Sequence, residues 1–473
     1  MLASLVAVSA LLFAPGAAAQ SDPACVGDTD AVDVEQKPGA PRLRFGIGPL
    51  VQAGQIGPTP AAAVPERPQQ TDEALRRLRP PGGPFVLRLN RFFWSDGEAA
   101  VTRYLDLARR FTSQGYLVEL QVRYHPSPEQ EGDIAAWTEH VREVVRRFGA
   151  NPGLIALQIA NEVNLTFSPD SSDGAYEGSR QALVSGVIAA KDEARKLGHK
   201  ELEIGFNWAY RVDPANETSF WQGLRDRGGK EFVDSLDWIG LDAYPGTVFP
   251  PAESEGGERD GIVNGMSALR CYARIPGIPE SVPMKVEENG WPTMPPARSY
   301  EKQASVLELM VRAVHDFRGT YNVSDYHWFN LRDGDTDSPL LFQHFGLLES
   351  DYEPKPAFEV YRGLLSELAR RDPSSRLRLR LRGRRGPGGC RRGRVRAAVA
   401  GEDAGTARRA VFFRGRRRVR RDRRPPLSAI VHRPHLGPRH AHRVRARVRL
   451  ESGALVRLAR RFRACARREP APG

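Results

Sequence analysis

Four cysteines are all that 473 residues contain, and none sits near another at the spacing of a zinc site. After residues 2–19 no segment is apolar enough to cross a membrane, so no transmembrane segment is expected in the body of the chain. No glycine-rich phosphate loop follows the first strand-like run, which removes the main support for an open, doubly wound dinucleotide-binding sheet. The histidines between residues 42 and 371 are isolated. A metal-dependent barrel hydrolase, which needs a His-x-His or clustered His/Asp set at strand ends, is therefore disfavoured, and neither metal nor cofactor is expected. Lysine is missing altogether from residues 376–473. That stretch holds 32 arginines against five acidic residues, a formal +27, which leaves −14 for the rest of a chain whose total is +13.

These scarcities leave a definite organisation. Residues 2–19, LASLVAVSALLFAPGAAA, are apolar and end in small residues, as a secretory signal peptide does, so residues 1–19 predict export. An even number of cysteines suits an oxidising compartment. Cys390 and Cys465 bracket the end of the chain and are expected to pair. Cys25 with Cys271 follows by elimination, although four cysteines allow three pairings. The length fits one large domain followed by a smaller one.

From residue 42 to 371, short β-rich runs alternate with longer helical patterns. The runs are LRFGIG (43–48), FVLRLNRFFW (85–94), YLVELQVRYH (116–125), LIALQIANE (154–162), LEIGFNW (202–208), SLDWIGLDAY (235–244), PMKVEENGW (283–291) and SDYHWFNL (324–331). Eight of them at roughly 40-residue intervals predict a closed (β/α)8 TIM barrel. Helical stripes are expected over 98–113, 133–148 and 301–317, whereas PGTVFPPAESEGGERDG (245–261) reads as an irregular loop shaping a cleft. Residues 372–386 read as an Arg-rich linker. Residues 387–468 follow as a small, strongly basic all-β sandwich, with alternating V-R-A-R-V-R strands joined by turns.

Barrels carry their chemistry at the C-terminal ends of strands. Two glutamates end apolar strands there, Glu162 on the fourth and Glu288 on the seventh, where a carboxylate is costly unless paired or used. Strands four and seven face one another across the barrel mouth, the placement that cleavage of a glycosidic bond by two carboxyl groups requires. Glu287 is the near alternative. Side-chain alternation is expected to turn it to the opposite face from Glu288, and a slip of one residue would exchange the two. Sugars present apolar faces, so aromatic platforms are expected from Trp94, Trp208, Trp291 and Trp328, all of which finish strands.

The runs ANE (160–162) and EENGWPT (287–293), in this strand order over about 330 residues, resemble the large clan of retaining (β/α)8 glycoside hydrolases, the cellulase and β-glycosidase-like enzymes of clan A. The resemblance implies Glu162 as general acid/base, Glu288 as nucleophile and Asn161 as partner of the sugar 2-hydroxyl. It also implies Arg88 steadying the nucleophile, Tyr244 holding it ionised through a hydrogen bond, and Trp328 under the sugar at the cleavage point. His125, Asn207 and Asp333 are further polar candidates. The acid's pKa is expected to be raised by its neighbour's charge. Cleavage of β-linked glycosides or glycans with retention is implied. A non-catalytic glycan-binding barrel and an envelope adhesin are the alternatives.

The basic module also resembles bacterial immunoglobulin-like modules, through FFRGRRRV, the segment Asp422 to Pro426 and the run His440 to Val448. Its charge would attract an acidic polymer of the cell envelope. Only Phe412, Phe413 and Phe462 are aromatic there, too few for base stacking, so no specific nucleic acid is expected.

Overall fold

The computed structural model describes Cys25 and residues 43–50, 62–80, 83–211, 213–248, 256–368, 377–385, 390–401, 404–405, 407–415, 417–432, 441–450 and 455–465. The expected signal peptide, residues 1–19, lies outside the described residues.

Eight parallel strands close into a barrel in chain order: β1 (Arg44–Ile47), β2 (Phe85–Phe93), β3 (Leu117–Arg123), β4 (Leu154–Ile159), β5 (Glu203–Ala209), β6 (Trp238–Asp242), β7 (Met284–Asn289) and β8 (Val323–Trp328). Closure comes from β1 against β8, with Phe45 opposite Tyr326 and Ile47 opposite Trp328. The helices are α1 (Pro68–Leu78), α2 (Gly97–Ser113), α3 (Ile134–Phe148), α4 (Ser179–Leu197), α5 (Pro214–Asp234), α6 (Gly257–Tyr272), α7 (Tyr300–Tyr321) and α8 (Pro356–Leu368). Each packs an apolar stripe on the barrel. In α2 this is Ala100, Val101, Tyr104, Ala108 and Phe111, all buried. Side-chain caps start the helices where the sequence supplies them. Asp133 accepts from the Ala136 N–H at 2.9 Å before α3, and Ser299 from the Lys302 N–H at 3.1 Å before α7.

The expected irregular loop at 245–261 is corrected at its end. Its last residues, GERDG, form the first turn of α6, where the negative charges of Glu258 and Asp260 suit the positive end of the helix dipole.

Seven further strands follow: β9 (Arg378–Arg385), β10 (Arg391–Ala400), β11 (Ala407–Arg414), β12 (Arg417–Asp422), β13 (Ser428–His432), β14 (Ala441–Leu450) and β15 (Leu455–Arg463). They form two antiparallel sheets, ordered β13-β10-β9 and β12-β11-β14-β15. Alternate side chains meet in one core, with Leu379, Val395, Ala397 and Val431 from one sheet and Phe412, Val444, Ala446 and Val448 from the other. The linker expected at 372–386 is corrected in part. Arg378–Arg385 is strand β9, because Leu379 and Leu381 alternate with its arginines and bury themselves. Both disulfides match the expected pairs, Cys25–Cys271 and Cys390–Cys465. No helix among the described residues is long and apolar enough to cross a membrane.

Candidate active site

Glu162 stands three residues beyond β4, in a turn that two buried side chains hold in place. Asp173 accepts from the N–H groups of Asn161 at 2.9 Å and Tyr124 at 3.0 Å, and from Arg123 Nε at 2.7 Å. Asn207, from β5, accepts the Glu162 N–H at 2.9 Å through Oδ1. Ala160 and Glu162 both adopt positive φ, 60° and 45°, a conformation costly for residues with a side chain and maintained here by those contacts.

Glu288 ends β7 from the other side. Arg88 of β2 donates to its Oε1 at 2.7 Å and Tyr244, just beyond β6, to its Oε2 at 2.6 Å, so both oxygens are occupied by donors. Arg88 also donates to Gln158 at 2.6 Å and lies, through Nε, 3.2 Å from Glu287. Here the expected alternation fails. Glu287 was expected on the opposite face from Glu288, yet both carboxylates reach Arg88. The cause is a bulge in β7, where Leu241 of β6 pairs with Val286 but the next residue, Asp242, pairs with Glu288. Glu287 is fully buried beneath the mouth, against His327 of β8 at 3.2 Å.

Asp242 is a third carboxyl, one that the strand pattern alone does not single out. It is buried at the end of β6, and one oxygen each of Glu162, Asp242 and Glu288 lie within 4.8 Å of one another. Burial, and then the Glu288 charge, push Glu162 up to about 8. Burial is thus the larger cause, ahead of the neighbouring charge anticipated from sequence. The same two causes, with Glu162 added, raise Asp242 well above the usual carboxylate range. The trio offers three carboxylate oxygens of the kind that hold a cation, and Glu119, Glu287 and His327 below it offer two oxygens and a ring nitrogen. Arg88 already brings a positive charge to both groups.

These residues open into a cleft. Asn161, Glu162, Asp242, Tyr244 and Glu288 line it with Arg91, Arg123, Phe167, Tyr210, Phe329, Phe342 and Phe345. No protein-family profile matches the sequence, and no curated protein is similar to it. Among solved structures, Bacteroides uniformis β-glucuronidase is 14% identical with a TM-score of 0.43, over 90% of this chain and 46% of that one. A fungal β-1,4-galactanase is 13% identical with a TM-score of 0.45, over 68% and 99%. A GH5_18 protein from Bifidobacterium longum subsp. infantis is 15% identical with a TM-score of 0.49, over 69% and 79%. The chain spans about half the length of the β-glucuronidase. Likeness at this level says nothing about activity, which has to be argued from the cleft's own atoms.

The cleft contains none of the four expected tryptophan platforms. Trp94, Trp208, Trp291 and Trp328 are 0 to 5% exposed and pack into the core. Side-chain alternation explains two of them. Tyr326 faces Tyr361 of α8 and Phe206 faces Trp221 of α5, so Trp328 and Trp208, two residues on, share that helix-facing side. Trp94 packs on Tyr124 and Trp137, and Trp291 lies under the Arg298 guanidinium at 3.7 Å. Phe329, one residue after Trp328, is the aromatic that reaches the cleft.

His125 is also corrected: it stacks on Phe93 with ring centres 4.2 Å apart, 3.2 Å from Ser95 Oγ, outside the lining. Asp333 is bound to Lys355 at 2.7 Å and accepts from the Gly346 N–H, equally outside it. Asn207 acts from behind, bridging Glu162, Asn161 and Asp242. Asn161 reaches the cleft, but its Oδ1 accepts from Gln121, Gln158 and Asn207 and its Nδ2 donates to Ser171. One amide hydrogen is left to address a ligand.

Proposed function

We propose that this chain is an exported retaining glycosidase that cleaves O-glycosidic bonds of β-linked glycosides or glycans. The observation that carries the reading is the unequal pair of glutamates. Glu162 is buried with its pKa near 8, and therefore protonated at neutral pH, while Glu288 lies within 4.8 Å of it against a guanidinium and a phenol. One acid and one carboxylate flanking a bond are what the reaction needs. Retention goes with a separation of ~5 Å, and inversion, which must fit a water between the carboxyls, with ~6.5–9.5 Å.

Glu288 attacks the anomeric carbon while the bond to the leaving oxygen breaks and Glu162 gives that oxygen its proton. A glycosyl ester on Glu288 results. Glu162, now ionised, takes a proton from water as the water displaces Glu288, so the sugar leaves with its original configuration and both glutamates return to their starting states. Arg88 and Tyr244 hold the nucleophile's two oxygens in place, and the Asn161 amide addresses the 2-hydroxyl. Phe329, Tyr244 and Phe345 offer apolar faces to the ring. No step calls for a metal or an organic cofactor. The two disulfides support export.

The basic sandwich supports a second role, attachment to an acidic envelope polymer. Arg378, Arg380, Arg382 and Arg384 project from β9, and Arg443, Arg445, Arg447 and Arg449 from β14, all exposed. Its four-plus-three strand order supports an immunoglobulin-like reading.

The test is hydrolysis of a panel of aryl β-glycosides and soluble glycans by the full chain, beside Glu162→Gln and Glu288→Gln. Turnover lost in both variants, with azide restoring product only in the truncated alanine forms, supports the mechanism. Turnover that survives Glu288→Gln would reject it, and a wild type inert on every glycoside would favour a glycan-binding barrel.

A further inference from the structure

A retaining glycosidase needs two carboxyl groups, and this cleft has three. Asp242 is 1% exposed yet lines the cleft between Glu162 and Glu288. Among the described residues no cation lies within ion-pairing distance of it, and Arg88, which pairs with Glu288 and Glu287, attracts it only from farther off. A buried carboxylate without a counter-charge is costly and takes up a proton instead. The position of that proton follows from the hydrogen bonds. Asn207 Nδ2 donates to Asp242 Oδ2, so Oδ2 is an acceptor and the proton belongs on Oδ1. That oxygen is buried and has no partner in the protein.

We propose that Asp242 works as a neutral carboxylic acid whose Oδ1 hydroxyl donates a hydrogen bond to an oxygen of the sugar held between Glu162 and Glu288. The inference rests on the glycosidase reading for its ligand, and on the cleft's geometry for the state of the group. A neutral donor adds no negative charge beside Glu288, which an ionised third carboxylate would. It also binds a sugar oxygen without competing for the proton of Glu162. Burial and the charge of Glu288 favour the same protonated state, and outweigh the opposing pull of Arg88. The surrounding groups are Glu162 beyond β4, Asn207 on β5, Tyr244 beyond β6, Glu287 and Glu288 on β7, Arg88 on β2, and Arg123 on β3, paired with Asp173.

Two substitutions separate donor from charge. Asp242→Asn keeps an N–H donor in place of the hydroxyl, and Asp242→Ala removes it. On a glycoside that the wild type turns over, Asp242→Ala is expected to lose ~100-fold in kcat/KM, as for a polar group left unmatched in a dry site, and Asp242→Asn only a few-fold. Equal losses in both variants would overturn the inference, because a charge and not a donor would then be missing. The second arm needs no substrate. Infrared difference spectra of the wild type against Asp242→Asn, at neutral pH, should show the carbonyl band of a protonated carboxyl lost with Asp242, with Glu162→Gln identifying the separate band of Glu162. A carboxylate band lost instead would overturn the inference, even if no glycoside were cleaved and the glycosidase reading had fallen on its own.

Discussion

Replacing Glu162 by glutamine should stabilise the protein while abolishing the proposed chemistry, and the gain should depend on pH in one direction. The folded chain holds a proton on Glu162 up to about pH 8, whereas an ordinary glutamate releases it near 4.5. Between those values the folded state binds the extra proton, so wild-type stability falls as pH rises through the window, and below about 4.5 the group makes no difference. Glutamine has the shape of the protonated acid and no charge to bury. At ~1.4 kcal/mol per pKa unit, the gap bounds the gain at ~5 kcal/mol above pH 8, and roughly 3 kcal/mol is expected near pH 7. For a barrel of this length, with an unfolding entropy of ~2 cal/mol/K per residue, 3 kcal/mol corresponds to a rise in Tm of roughly 4 °C. Melts followed by circular dichroism at pH 4, 5, 6, 7 and 8 would measure it. A gain equal at pH 4 and pH 8, or a loss at both, would refute the picture of a buried, protonated glutamic acid. A gain that grows with pH would show that the fold gives up stability to keep this acid protonated and neutral.

Other expectations are sharp enough to fail. The kcat/KM for an aryl glycoside should decline as pH passes about 8, where Glu162 gives up its proton, and a profile flat to pH 10 would remove its role as acid. Arg88→Met leaves Glu288 buried without its cation, so it should cost ~3–5 kcal/mol in denaturant unfolding, less at pH 5 than at pH 8. Phe329→Ala should raise KM about tenfold, while Trp328→Ala should cost ~3–5 kcal/mol of stability and leave KM little changed in whatever folds. Retention of the full chain on an anionic polymer should fall steeply with added salt, and salt-insensitive retention would argue against the arginine ladders.

The parts of this fold that were legible in the sequence are those fixed by local pattern. Runs such as LIALQIA and PMKVEEN are bounded by turn residues, and a parallel barrel buries both faces of its strands, so their apolar continuity was enough to mark them. Glu162 and Glu288 stood out because a carboxyl group that closes such a run is buried at a cost, which a pairing or a chemical role must offset. What was not legible depends on register between strands. Glu287 joins Glu288 at Arg88 only because β7 bulges against β6, a property of two strands together. The tryptophans misled for a related reason, since the residue that ends a strand faces the cleft or the helices according to a parity that the run alone does not disclose. Asp242 was hidden in GLDAY as one more polar strand end, and only its distance to the two glutamates sets it apart.

The charges beneath the cleft form one connected set. Arg44 pairs with Asp325 and Glu203, Lys285 with Glu203 and Glu119, and Glu287 with His327, with Arg88 between Glu287 and Glu288 at the top. Every member lies on a barrel strand. The guanidinium of Arg88 donates to Glu288 and Gln158 through two different nitrogens while its Nε lies 3.2 Å from Glu287, a planar fork that lysine could not reproduce. The position of the nucleophile is therefore set from below by strand residues, with Tyr244 just beyond β6, whereas of the cleft's lining Phe167 and Phe345 stand on loops and Phe342 on a single 3-10 turn. On the proposed function, loop changes would alter which sugar is held while leaving the paired carboxyl groups where they are. By the same logic Asp242, which belongs to a strand, should act on the cleavage step common to all substrates, and its substitution should lower kcat/KM by a similar factor whichever glycoside is used.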